Sequence, residues 1–203
     1  PAISDSAAKV TLEAVKAAKK AGVIVSCDLN YRKKLWTSEK ANKVMSGLME
    51  YVDYVIANEE DAEKVFGIKA DNTDVKTGDL DDSGYRQVAR ELLERFHLKK
   101  VAITLRESYS ASDNGWSALL YNGMEYYKSK KYNIHIVDRV GGGDSFAGGL
   151  IYGLLSRMSD HEALEFAVAA SCLKHTIPGD FNMVSIDEVK NLMAGDGSGR
   201  VQR

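Results

Sequence analysis

Residues 138–146 read DRVGGGDSF, with three consecutive glycines between Asp138 and Asp144 and a helical pattern, AGGLIYGLL, directly after. The start of a helix presents free N–H groups and about half a positive charge. Glycines let such amides close on an anion as a nest. Gly141, Gly142 and Gly143 therefore read as an anion hole, and phosphate is the expected anion. A carboxylate beside a phosphate repels it, so Asp144 needs a reason of its own. As a general base it would take the proton from a substrate hydroxyl while the amides hold charge on a transferring phosphoryl group. As a helix cap it would only satisfy an amide. The spacing leaves both open. Other phosphate motifs are absent: there is no GxxxxGK[ST], position 146 is Phe where a dinucleotide fingerprint needs Gly, and no HRD or DFG occurs.

Three further groups lie where strands are expected to end. ANEED places Asn58 and Asp61 three apart, either as a helix cap or as a pair that meets Mg²⁺ through its waters. DLNYR offers Asp28, Asn30 and Arg32. A guanidinium grips carboxylate or phosphate with a planar fork, but Lys33 and Lys34 also make this a plain basic loop. ITLRES places Thr104 and Arg106 at the end of a strand. The helix that precedes His175, AVAASCLKH, is rich in small residues; it suits tight packing on a sheet, and His175 reads as structural in that setting.

The elements that must position these residues alternate. A helix capped by Ser4 or Asp5 runs to Gly22 with an apolar stripe of Val10, Ala14, Ala17 and Ala18. VIVSC (23–27) reads as a strand buried on both faces. A second helix is expected from about Ser38 to Tyr51, a strand at 53–57, a short helix closed by Gly67 and a polar acidic surface loop at 68–82. A helix from Gly84 to His97 and a strand at 99–105 follow. WSALLY and MEYYKSKKY read as a hairpin around a type I′ Asn122-Gly123 turn, in which Tyr121, Tyr126 and Tyr127 pack across strands. Helices are expected at 144–157, 160–174 and 186–194, with a frayed tail from GDGSGRVQR. Repeated helix–strand alternation predicts an α/β fold: a mostly parallel sheet with helices on both faces and the hairpin at one edge.

The 203 residues carry a net charge of −2, which gives no reason to expect nucleic acid or an anionic membrane as partner. No apolar run is long enough to span a membrane. Cys27 and Cys172 lie in apolar settings without metal-ligand spacing and read as buried thiols of a reducing, cytoplasmic protein. The chain begins at Pro1 and enters a helix within a few residues, which reads as a fragment or a processed chain.

DRVGGGD resembles the D-T-x-G-A-G-D signature of ribokinase-like carbohydrate kinases, the phosphofructokinase-B family. Asp138, Gly141, Gly143 and Asp144 match it, while Arg139 and Gly142 replace the usual Thr and Ala. DLNYRKKLW, ANEEDAEKVFG and LKHTIPGDFN are similar to the branch that phosphorylates 2-keto-3-deoxygluconate. The resemblance implies ATP and Mg²⁺ as cofactors and a small sugar acid as acceptor, with fructose or ribose as the alternative acceptors. It makes Asp144 the base, gives Arg32 the sugar-acid carboxylate and makes Asn30 a further substrate-binding residue. It assigns ATP contacts to Thr104, Arg106, Gly141, Gly143 and His175, and a water-mediated metal role to Asn58 and Asp61, where the family has Glu in place of Asp. Monovalent-cation activation occurs in relatives, and the resemblance leaves it, and a homo-oligomeric state, open here. It further implies a single ATP-binding catalytic domain over 1–203, lacking the N-terminal portion and the sugar lid, so the chain alone is expected to be inactive and prone to self-association. An inert nucleotide-binding fragment is the remaining alternative.

Overall fold

The computed structural model describes residues 1–69 and 82–195. Most of 68–82 and of the tail after 195, expected as a surface loop and a frayed end, lie outside the described residues. The chain divides into two units, one holding 1–104 with 119–126 and the other 105–118 with the residues from 127 onward.

The first unit begins with α1 (Asp5–Lys20), whose N-cap Ser4 side chain accepts from the Ala7 amide, and Gly22 follows with φ +74°. The expected apolar stripe is present, but no residue of α1 is buried, and Val10 stays exposed. β1 is only Ser26–Asp28; Val23 and Ile24, expected inside the strand, are exposed. α2 (Ser38–Met49) turns Ala41, Met45, Leu48 and Met49 inward, and β2 (Tyr54–Ala57) follows. α3 (Glu59–Phe66) ends at Gly67 in the left-handed region, as the sequence requires, and α4 is Asp82–Phe96. β1 pairs parallel to β2, and β2 parallel to β3 (Lys100–Ser108), through Val55 beside Val101 and Ile56 beside Ala102. β2 and the first half of β3 are apolar on both faces, as parallel strands are, whereas β1 exposes Ser26 and Asp28.

β3 runs three residues further than expected and turns at once into β4 (Asp113–Tyr121). Amides of Tyr109 and Ser110 both donate to the Asp113 carbonyl, closing a hairpin that sequence reading missed. Its signal was the Ser/Asp/Asn/Gly-rich SYSASDNG. The expected type I′ turn is corrected. Asn122 and Gly123 belong to a four-residue connection to β5 (Tyr126–Lys128), and only Gly123 has positive φ. The Asn122 side chain instead accepts from the Met124 and Glu125 amides, an Asx turn. β6 (Tyr132–His135) pairs antiparallel to β4, so the sheet order is β1-β2-β3-β4-β5 with β6 also on β4. The mixed, mostly parallel α/β architecture is as predicted.

The second unit ends in α5 (Gly142–Leu155), α6 (Asp160–Lys174) and α7 (Ile186–Met193). α5 and α6 approach closely. A Cβ built on Gly149 would stand 2.9 Å from Ala167 Cα, and one on Gly153 would stand 2.8 Å from Ala163 Cα. Small residues on both helices are what let the backbones meet.

Asp53, immediately before β2, gathers the edge of the first unit. It is 2% exposed and accepts from Lys19 Nζ at 2.6 Å, Lys99 Nζ at 3.0 Å and the Val25 amide at 3.0 Å. Burial alone would raise its pKa, but these donors win and hold it at about 2. A carboxyl depressed in the folded state stabilises the protein above its unfolded pKa of about 4, and that contribution fades as pH falls towards about 2. The lysines are 38% and 61% exposed, so water screens the pairs. We expect urea unfolding between pH 5 and pH 2 to show wild type losing about 1–2 kcal/mol more than Asp53→Asn. Parallel loss in both proteins would show that Asp53 does not carry the acid limb.

Candidate active site

The glycine run opens α5. Gly141 is its N-cap, with φ +78° and no side-chain capping hydrogen bond, and Asp144 sits in the first turn. Each glycine has its own reason. A Cβ on Gly141 would run into the carbonyl oxygen of Asp180, and one on Gly142 would stand 2.7 Å from the His175 ring. A Cβ on Gly143 would meet nothing within 4 Å. Packing therefore demands the first two, and the third leaves an open approach to the helix end. Gly142 is held from behind, because Ser171 Oγ donates to its carbonyl at 2.8 Å.

Asp144 is exposed, and among the described residues no hydrogen bond or ion pair engages its carboxylate. It does not act as a side-chain cap for α5. It lines a cavity of about 500 Å³ together with Gly141, Ser145, Asp180 and Asn182. Asn182 Nδ2 donates to Ser145 Oγ at 2.5 Å and to the Ala170 carbonyl at 3.1 Å. Asp180 and Asn182 were missed as site residues; their only signal was their place in PGDFN.

Asp138 is half-buried and bonded to nearby backbone. Its carboxylate accepts from the amides of Val140 at 3.0 Å and Gly179 at 2.8 Å, and these donors, the Val140 amide foremost, lower its pKa. Arg139 donates to the Ala111 carbonyl and to Asn114 Oδ1 at 3.1 Å, so it braces the β3–β4 turn from the position where the family has Thr. His175 is buried, contacts Trp116 with ring centroids 4.9 Å apart, and places Nδ1 2.7 Å from the Ser171 carbonyl. Burial, above all, lowers its pKa, so the ring is neutral near pH 7 and Nδ1 donates to that carbonyl. It backs the glycine turn. Arg106 is exposed on β3, in the second unit.

The remaining candidates belong to the first unit, where Thr104 is half-buried on β3. Asn30 has φ +37°, and Arg32 beside it is exposed. Arg32 lines a cavity of about 500 Å³ with Lys33, Lys34, Asn58, Asp61 and Lys64. Asn58 Oδ1 accepts from the Asp61 amide at 2.7 Å and so caps α3. Asp61 Oδ1 accepts from the Tyr31 amide at 2.9 Å. Burial raises the Asp61 pKa against the pull of these amides and of Arg32. Both side chains thus accept from backbone amides, Asn58 through Oδ1 and Asp61 through Oδ1, while Glu60 and Asp61 are the carboxylates that line the cavity. Among the described residues no group of three His, Cys, Asp or Glu could hold a metal ion. Asn58 and Asp61 do not fit direct coordination of Mg²⁺.

Residues 2–186 match the family model described as pfkB family carbohydrate kinase. The chain belongs to this family. Among curated pfkB relatives it is 29% identical to a 2-dehydro-3-deoxygalactonokinase of Haloferax volcanii over 199 residues, 98% of this chain and 56% of that protein. Its fold matches the crystal structure of 2-dehydro-3-deoxygluconokinase from Thermotoga maritima at 49% identity and TM-score 0.89, covering 96% of this chain and 57% of the other. It also matches a pfkB carbohydrate kinase from Listeria grayi at 32% identity and TM-score 0.83, covering 95% and 57%. The chain therefore spans little more than half the length of these relatives. Among the described residues no helix is long and apolar enough to cross a membrane.

Proposed function

We propose that the protein takes part in ATP-dependent phosphorylation of the terminal hydroxyl of a small sugar acid, 2-keto-3-deoxygluconate above all. The observation that carries this reading is the free Asp144 carboxylate beside an uncapped, glycine-lined helix start. In the reaction, Asp144 takes the proton of the acceptor hydroxyl. The hydroxyl oxygen bonds to the γ-phosphorus, and the bond from that phosphorus to the bridging oxygen of ADP breaks. The amides at the start of α5 hold charge on the transferring group. Mg²⁺ bound with the nucleotide would supply further charge neutralisation, and any hold of Asn58 and Asp61 on it would be through water. The sugar-acid assignment rests on two relatives named for 2-dehydro-3-deoxygalactonate and 2-dehydro-3-deoxygluconate kinases. The test is ADP release with a panel of both acids, ribose and fructose, with and without K⁺, on this chain and on an N-terminally extended one. Turnover confined to the 2-keto-3-deoxy acids supports the reading. Turnover with neutral sugars alone, or with none of the panel in either chain, overturns it.

Arg32, in this reading, holds the acceptor carboxylate. Losing a charged, two-pronged hydrogen bond costs roughly 10- to 100-fold in affinity. Arg32→Ala is expected to raise KM for the sugar acid by that factor and leave KM for ATP nearly unchanged. Equal rises in both would make Arg32 a phosphate or structural residue; no change would make it part of a solvated basic loop.

A further inference from the structure

Lys174 is the last residue of α6, and its side chain is fully buried at 0% exposure. A buried ammonium is costly unless hydrogen-bonded, so its partners indicate what it holds. Nζ donates to the Ile177 carbonyl at 3.0 Å, while the Ile177 amide donates back to the Lys174 carbonyl at 3.0 Å. The segment that follows α6 is thereby folded onto the helix end. That segment is also the back wall of the glycine turn. The His175 carbonyl accepts from the Val137 and Asp138 amides at 2.8 and 3.2 Å. The Gly179 amide donates to the Asp138 carboxylate, whose other oxygen accepts from Val140. The Asp180 carbonyl lies against Gly141 where a side chain would begin.

We infer that Lys174 is a positioning residue for the candidate active site: its buried ammonium fixes residues 175–180, and through them sets Asp138 and Gly141 at the entrance to α5. The positive field it adds at Asp138 acts in the same direction, favouring the ionised carboxylate that accepts both amides. The consequence for nucleotide binding rests on the kinase reading above; the consequence for the backbone does not.

The two are separated by measuring both on the purified chain. Lys174→Met keeps the length and bulk of the side chain and removes the charge; Lys174→Gln keeps an N–H donor as well. Hydrogen exchange at the Gly179 and Val140 amides is expected to speed up by about tenfold or more in Lys174→Met, and by less in Lys174→Gln, from the loss of a charged hydrogen bond. The α6 amides of Ala167 and Val168 should keep their protection. ATP affinity should weaken by a similar factor. If wild type binds no ATP, the kinase reading fails, and the exchange pattern still decides the role of Lys174. Unchanged exchange at Gly179 and Val140, or an equal loss throughout α5 and α6, overturns the inference. Failure of both variants to fold overturns it too, since Lys174 would then support the whole unit rather than the turn.

Discussion

Asp144→Asn, introduced into whichever form of the protein turns over the sugar acid, is expected to lower kcat by about 10²- to 10⁴-fold, the usual scale for losing a general base. The substitution keeps size and shape and removes only basicity. ATP affinity should change little, because in the proposed reading the nucleotide is held by the amides at the start of α5 and not by this carboxylate. Stability should also hold, since among the described residues the carboxylate makes no hydrogen bond or ion pair. Stopped-flow phosphoryl transfer with nucleotide titration on the same samples checks all three. Near-normal turnover in Asp144→Asn would end the base assignment. A large loss of stability would show that the side chain supports α5 after all.

The second large effect concerns Gly142. A methyl there would stand 2.7 Å from both Cε1 and Nε2 of His175. That ring cannot swing aside freely, being held by the Ser171 carbonyl and packed on Trp116. Overpacking of this kind costs about 1–3 kcal/mol. Gly142→Ala should lose that much in denaturant unfolding and lower nucleotide affinity as the turn shifts. In a His175→Ala background the methyl has room, and the added cost should largely vanish, a coupling of about 1 kcal/mol or more. An equal cost in both backgrounds would show that the strain lies in the backbone and not against the ring. The pair also explains why a glycine stands where the resembling signature carries alanine.

How far the sequence could be read follows from how local each cause was. Helix limits rested on neighbours in the chain: Ser4 and Asn58 as caps, Gly67 past an end. Such signals need no tertiary knowledge, and those elements stand as expected. VIVSC failed because apolar content was taken for burial, whereas burial depends on what packs beside it. The Asn122-Gly123 turn failed because the Asn122 side chain bonds the following amides and favours a longer loop. At the site, the glycine run was legible as a helix entrance. The separate reasons for each glycine were not, since Asp180 and His175 lie more than thirty residues away along the chain. Lys174 had no signal at all, because a lysine in the last turn of a helix ordinarily reads as solvated.

The close meeting of α5 and α6 bears on how the site meets its ligand. With Gly149 and Gly153 against Ala167 and Ala163, the two helices pack so closely that neither glycine has room for a side chain. In the proposed reaction, the amides at the head of α5 would be aimed before any phosphate arrives. In solvent such dipoles would have to reorient during each reaction, and that reorientation adds to the barrier. Here it is completed once, when the chain folds, so the field felt by a developing negative charge is a permanent property of the helix pair. Enlarging Gly149 or Gly153 would loosen this arrangement from about two to three turns away, slowing the reaction without touching a single atom of the reactants.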